Sequence, residues 1–190
     1  MSFLRYATPP EWVEAVLDDF DTFLFDHAAA EKKASGMAIS MISHYPDKTT
    51  LVEKMIDLSI EELCHYREVI KLIHERGRQL NSDSKDEYVN AFRGAMRKGG
   101  EAYFLDRLII GAIIEARGAE RFALIAKALP DGKMKSFYLS LSESESRHYE
   151  LFLELAALYF ESAAIDQRVD ELLDIEATIC ASLPIRSALH

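Results

Sequence analysis

The chain has 190 residues, about half of them apolar, which is enough for one domain with a sizeable core and short for two, so a single domain over residues 1–190 is expected. A net charge of −10 argues against indiscriminate binding to nucleic acid or anionic membrane. No apolar run reaches the length of a membrane span, there is no amino-terminal signal pattern, and the two cysteines, Cys64 and Cys180, lack metal-knuckle spacing. A reduced, cytoplasmic protein without membrane association is expected.

Glycine and proline are scarce while alanine, leucine and glutamate are abundant, so the composition points to an all-α protein. Thr8, Pro9, Pro10 and Glu11 make a helix start, with an oxygen-bearing cap, proline where its missing N–H costs nothing, and an acid in the first turn. Helical periodicity continues from there to about His44, with a break near Asp21. Pro46 and Asp47 end that helix and open the next, which runs to about Arg76 and stops before Gly77. Gln79–Lys85 reads as a polar loop and Asp86–Lys98 as a short helix ending at Gly99 and Gly100.

A third long helix is predicted from about Glu101 to Leu129, followed by the turn Pro130-Asp131-Gly132, and a fourth from about Lys133 to Phe160. An amphipathic segment from about Ile165 to Leu183 closes the chain before Pro184. Four helices of nearly thirty residues, each about 40 Å long and joined by short loops, make an antiparallel four-helix bundle with short additional helices.

The pattern Leu-Ser-x-x-Glu-x-x-His-Tyr occurs twice, as Leu58, Ser59, Glu62, His65, Tyr66 and as Leu141, Ser142, Glu145, His148, Tyr149. Each copy has a lone glutamate about thirty residues upstream, Glu31 and Glu115. Glu31 and Glu115 are 84 residues apart and Glu62 and Glu145 are 83 apart, so one helix pair maps onto the other as an internal pseudo-twofold. Glutamate and histidine three residues apart share a helix face. A single such pair arises by chance about once every few hundred residues. The duplicated set, in helical context, matches the ligand pattern of di-iron and di-manganese carboxylate bundles. The candidate metal ligands are therefore Glu31, Glu62, His65, Glu115, Glu145 and His148.

The surroundings agree. Glu115 follows the run Leu108-Ile109-Ile110-Gly111-Ala112-Ile113-Ile114, where an unpaired carboxylate would cost several kcal/mol. Small residues one turn away, Gly111, Ala112, Gly118 and Ala119 near Glu115 and Ala28, Ala34 and Ser35 near Glu31, leave room for ions, dioxygen or substrate, or else serve close helix packing. Carboxylates with one imidazole per ion and no thiolate suit two iron ions better than structural zinc. Tyr66, Tyr149 and Cys64 read as packing residues beside the site, and His27, one turn before Glu31, as a packed or capping histidine with a partner or ligand role as the sharper alternative.

At these residues the chain resembles the bacterial tRNA hydroxylases that act on methylthio-isopentenyladenosine beside the anticodon (MiaE), a family of ferritin-like di-iron proteins. The likeness lies in Asp26-His27 through Glu31-Lys32-Lys33-Ala34, Glu61-Glu62-Leu63-Cys64-His65, Arg76-Gly77, Gly111 through Arg117, Glu120-Arg121-Phe122 and Ser144 through Tyr149. It spans roughly residues 5–160, and the tail beyond adds little. Gly118 and Ala119 stand where that family is expected to carry a polar pair.

The resemblance implies a ferritin-like fold and a dioxygen-dependent hydroxylation of the isopentenyl side chain on tRNA. Glu31 and Glu115 would be terminal ligands, Glu62 and Glu145 bridging ligands, and His65 and His148 one ligand on each iron. An external reductant, an electron-transfer protein such as a ferredoxin or reductase, would supply electrons. The substrate would be chosen by what is not repeated, namely the Glu-Ala-Arg and Glu-Arg-Phe stretch and the segment Lys71–Lys98. That segment carries a local excess of three positive charges, and its part from Arg76 to Lys98, with Lys32 and Lys33, is a candidate surface for the anticodon region of tRNA, although an ordinary solvated loop fits equally well. A ferroxidase or peroxide-scavenging protein would use the same ligands without RNA, and a structural helical module would bind no metal.

Overall fold

The structure is a computed structural model and describes residues 3–190. Its described residues form seven helices and no strand: α1 (Pro10–Asp18), α2 (Phe20–His44), α3 (Thr49–Glu75), α4 (Glu87–Gly94), α5 (Gly100–Ala128), α6 (Lys133–Tyr159) and α7 (Ser162–Ser182). They divide into two compact units. One takes in the chain up to Glu14, Asp86–Ile185 and His190; the other takes in Ala15–Lys85 and Arg186–Leu189.

In the Ala15–Lys85 unit, α2 and α3 lie side by side, antiparallel across the short turn at Tyr45–Lys48. The expected break near Asp21 falls at Asp19, whose side chain accepts from the Thr22 N–H at 3.2 Å and caps α2. At the far end of α3 the chain turns at Gly77, where φ is +69°, and the Arg78 N–H reaches back to the Ile73 carbonyl at 3.0 Å. A side chain at position 77 would strain that left-handed turn.

The other unit is organised around α5. From Phe104 to Ala126 this helix is buried on nearly all sides. It packs antiparallel to α6 and also touches α7, which in turn meets α4. The short helix α4 is capped by Asp86, whose carboxylate accepts from the Val89 N–H at 2.8 Å, and it ends at Gly94 rather than continuing to Lys98. The reason is Asp106, fully buried on α5: it accepts from both the backbone N–H of Arg97 (2.7 Å) and its guanidinium, so the chain leaves helical geometry.

Two forked ion pairs join α5 to α7. Arg168 on α7 donates Nε and Nη2 to Asp106, each at 2.8 Å. Eleven residues along α5 the polarity reverses, and Arg117 donates Nε and Nη2 to Glu176 on α7, at 2.8 and 3.0 Å. An acid and then a base on α5 face a base and then an acid on α7. Sliding α7 by one fork would set like charges together in a buried setting, so the pair of forks fixes register. Tyr88 Oη and Cys180 Sγ also donate to Glu176, so its carboxylate is saturated; burial pushes the Cys180 thiol up to about 12.

Removing one member of the inner fork leaves a buried charge. Glu176→Ala is expected to destabilise the protein by about 3–5 kcal/mol in urea melts, while the double change Arg117→Met with Glu176→Leu recovers most of that loss.

Candidate metal centre

The sequence repeat is a structural repeat, and its non-ligand residues show why. Leu58 and Leu141 are both buried. Ser59 crosses from α3 to the Ser35 carbonyl on α2 at 3.2 Å, and Ser142 crosses from α6 to the Ala119 carbonyl on α5 at 2.9 Å. In each unit a hydroxyl thus ties the helix carrying Glu-x-x-His to the helix carrying the lone glutamate, one turn from the donors. The Leu-Ser of the motif sets the axial register of the helix pair.

The donors converge within each unit. Glu31, Glu62 and His65 each offer a ligand atom within 4.8 Å of the others, and so do Glu115, Glu145 and His148. Nδ1 of His65 lies 3.7 Å from Oε2 of Glu31 and 3.3 Å from Oε2 of Glu62. Nδ1 of His148 lies 3.7 Å from Oε2 of Glu115 and 4.0 Å from Oε1 of Glu145. All four carboxylates are buried, with Glu62 only 1 % exposed. Oxygen donors with one imidazole per group, separated by gaps that an ion of about 2 Å bond length would span, fit iron or manganese in each half.

Without metal, protons must balance those charges. Burial disfavours the charged form of His65, but hydrogen bonds and charge from Glu31 and Glu62 outweigh it and raise the imidazole to about 10. Burial likewise opposes the Glu31 carboxylate, and His27 and His65 more than reverse it, holding Glu31 below the usual carboxylate range. The His27 bond is a direct one: its Nε2 lies 2.7 Å from Oε1 of Glu31, and the ring is wholly buried. The expectation of a merely packed or capping histidine misses this bond. Its signal in the sequence is the four-residue spacing before Glu31 on the same helix face.

Other expectations also change. The space beside Gly111 and Gly118 is not left for substrate: the Phe152 ring lies 3.0 Å from where a Cβ on Gly111 would stand, and Oε2 of Glu145 lies 3.3 Å from one on Gly118. Glycine at 118 therefore makes room for a candidate ligand, and no polar pair is needed there. The Glu-Ala-Arg and Glu-Arg-Phe stretch does not offer its side chains to a substrate either. Arg117 is fully buried, bonded to Glu176, Glu120, Thr8 and the Tyr6 carbonyl. Arg121 lies over the Trp12 ring at 4.9 Å, and Phe122 packs on Tyr138. Tyr149 packs tilted against Phe3, ring centroids 4.8 Å apart, which is the packing role expected.

The basic segment is substantially engaged within the fold. Arg76 and Arg78 close onto Asp21, Lys32 onto Asp83, Lys33 onto the Ser84 carbonyl, and Arg97 onto Asp106. Cys64 is partly exposed and Cys180 buried, and both are free thiols. None of the helices is long and apolar enough to cross a membrane among the described residues.

Fold and donors together define the class: an all-α, ferritin-like protein whose buried carboxylates and imidazoles suit a di-iron site. The architecture matches a solved structure, a Synechococcus protein described as having aldehyde deformylating oxygenase activity, with a TM-score of 0.94 and 32% sequence identity over 100% of this chain and 96% of that one. A family model described as tRNA-(MS[2]IO[6]A)-hydroxylase (MiaE) matches residues 1–190. A tRNA 2-(methylsulfanyl)-N(6)-isopentenyladenosine(37) hydroxylase of Pseudomonas putida is 38% identical over 169 residues, covering 89% of this chain and 82% of its own. One of the same name from Salmonella typhimurium is 33% identical over 187 residues, covering 94% and 68%.

The chain belongs to the MiaE hydroxylase family and is an enzyme of that kind. The match runs to residue 190, beyond the 5–160 span read from motifs, and so takes in α7, which carries the partners of Asp106 and Arg117.

The protonation pattern predicts how the metal-free protein responds to pH. His65 is raised in the fold, so its contribution to stability is complete below its ordinary 6.5 and is lost as pH climbs through about 10. Glu31 is lowered, so its contribution is present above the usual carboxylate range and fades as acid protonates it. Thermal melts of chelator-treated protein should therefore fall between pH 7 and 10, and His65→Gln should flatten that limb while shrinking the acid limb to the part that His27 still supports.

Proposed function

We propose that the two half-sites together hold two iron ions and that the protein hydroxylates the isopentenyl side chain of methylthio-isopentenyladenosine in tRNA. The observation that carries the reading is a whole-chain family match together with four buried carboxylates grouped with a buried His148 and a half-buried His65. Glu31, Glu62 and His65 would hold one ion, and Glu115, Glu145 and His148 the other. Iron at that place would activate dioxygen, so that one oxygen atom enters a C–H bond and the other leaves as water, with two electrons and two protons consumed.

The residues of the chain do the rest. The serine bonds Ser59–Ser35 and Ser142–Ala119 hold each helix pair in register, so the carboxylates are oriented before an ion arrives. His65 must release its proton for the imidazole to act as a ligand, so ion uptake at neutral pH expels protons. Electrons would come from an external reductase or ferredoxin-like protein, in the cytoplasm where tRNA is found.

The RNA itself meets an acidic chain. Arg97 is committed to Asp106, which leaves Arg93 and Lys98 as the better candidates for phosphate contacts in the basic segment. Reversing both to glutamate should weaken tRNA binding several-fold and flatten its salt dependence by about one to two units of slope, with iron content unchanged. Unchanged binding would move the RNA surface elsewhere.

An aldehyde substrate is the second reading, because the Synechococcus structure carries that activity in its description at 32% identity. The deciding assay incubates iron-loaded, reduced protein and dioxygen with tRNA bearing the modified adenosine, or with a long-chain aldehyde, and analyses products by mass spectrometry. A nucleoside gain of one oxygen, lost with Glu115→Ala, is the expected result. Hydrocarbon from aldehyde with no change in the nucleoside would favour the second reading, and iron oxidation with neither product would favour a ferroxidase.

A further inference from the structure

The helix pair of α2 and α3 carries an apolar surface on the side turned away from its core. On α3, Ile56, Ile60 and Leu63 recur at the spacing of a single helix stripe, and they are 43, 59 and 54 % exposed. The bond from Ser59 to the Ser35 carbonyl fixes the register of the antiparallel pair, and it sets Ile39 of α2, 51 % exposed, level with Ile56. Gly36, about one turn before Ile39, has nothing within 4 Å of where a Cβ would stand, so the four side chains border a shallow open groove. Other exposed aliphatics stand apart, Leu139 and Leu158 for example near opposite ends of α6. Single ones are ordinary on a protein surface, whereas several on one face mark a place where another surface sits.

The charges along the stripe decide what that surface is. Before Ile60 the exposed side chains on this edge of α3 are Glu53 and Asp57, and after it they are Arg67 and Lys71, which share the one acid Glu68. Arg67 reaches Glu68 through Nε at 3.4 Å and stays 65 % exposed. A partner of one charge sign would be drawn to one end of the stripe and repelled by the other. A surface of reversed polarity satisfies both ends, and the same helix turned end over end has it. We propose that this face docks a second copy of the chain, the two α3 helices crossing antiparallel at Ile60 so that Glu53 of each copy faces Arg67 of the other.

The spacing suits a twofold axis. Glu53 and Arg67 each stand seven residues from Ile60, about 10 Å along the helix, so a rotation about Ile60 carries each onto the level of the other. In such an interface every contact is made twice. Ile60 meets its own copy, Ile56 meets Leu63 on both sides of the axis, and the two Glu53–Arg67 pairs close the ends. The apolar centre supplies the attraction, and the charges set the direction in which the helices cross. Glu62 and His65 leave α3 on other sides than this stripe, so docking covers none of the candidate ligands.

The test measures the mass of the full chain in solution, by light scattering after gel filtration and by sedimentation equilibrium. Wild type is expected at twice 21.6 kDa when concentrated and to move toward 21.6 kDa on dilution. Ile60→Glu should stay at 21.6 kDa throughout, with a circular dichroism melt like that of wild type because the side chain is largely exposed. Arg67→Glu and Glu53→Arg each set like charges together at both ends, and each should weaken the dimer at least about tenfold. The double reversal, Glu53→Arg with Arg67→Glu, restores the opposite charges and should restore the dimer. A wild-type chain that remains at 21.6 kDa at every concentration would overturn the proposal, as would a dimer that survives Ile60→Glu. A dimer that Ile60→Glu breaks but that ignores both single charge reversals would overturn the antiparallel crossing at Ile60.

Discussion

A carboxylate inside a helical core has to be answered by a positive charge or a hydrogen bond, and this chain buries Glu31, Glu62, Asp106, Glu115, Glu145 and Glu176 among leucines, isoleucines and phenylalanines. It answers them in two ways. Asp106 and Glu176 receive arginines, whose guanidinium forks never lose their charge and saturate both oxygens. The other four share their space with imidazoles, which can give up a proton. The first kind of compensation is permanent and builds the fold. The second is exchangeable, since His65, raised to about 10 by its carboxylate neighbours, can still release its proton.

The internal repeat shows how little of a helix pair is needed to present such a group. Three features recur on both pairs: a buried leucine, a serine reaching the neighbouring helix backbone, and the Glu-x-x-His face one turn on. In both units the serine can reach a backbone carbonyl, of Ser35 in one and of Ala119 in the other, and in the first the Ser35 hydroxyl adds a second bond to Ser59. The ligand face can therefore stay constant while the surroundings drift. His27 with Val69, and Gly111 with Phe152, are differences of that kind: both pairs are buried, and His27 in addition bonds Glu31.

This division also accounts for what could be read in the sequence. Helix boundaries are legible within a few residues, since caps and glycine turns are local, and the six candidate ligands stand out because they occur twice in helical register, where the structure groups them. The short helix was drawn too long because its end is set by Asp106, nine residues past Arg97 and buried on another helix. Arg117 and Arg121 looked available to a substrate because α5 is apolar on every side, so periodicity does not say which way a long side chain points. Their partners settle it. Glu176 lies 59 residues from Arg117, beyond the span the motifs covered.

Of the two roles open to the small residues, Gly111 takes close packing and Gly118 makes room for a candidate ligand. A glycine in an apolar helix invites the idea of empty space, yet the space beside Gly118 belongs to the Glu145 carboxylate and that beside Gly111 to Phe152. The symmetric part of the chain is thus filled by its own side chains, and the distinctive arginines of α5 are consumed in holding α7. Whatever distinguishes a modified base from an aldehyde chain must then come from residues that neither bind α7 nor repeat between the halves. That requirement points the search for specificity away from the α5 arginines and toward the non-repeated surface, where a change can alter substrate choice without disturbing either the buried forks or the donor set.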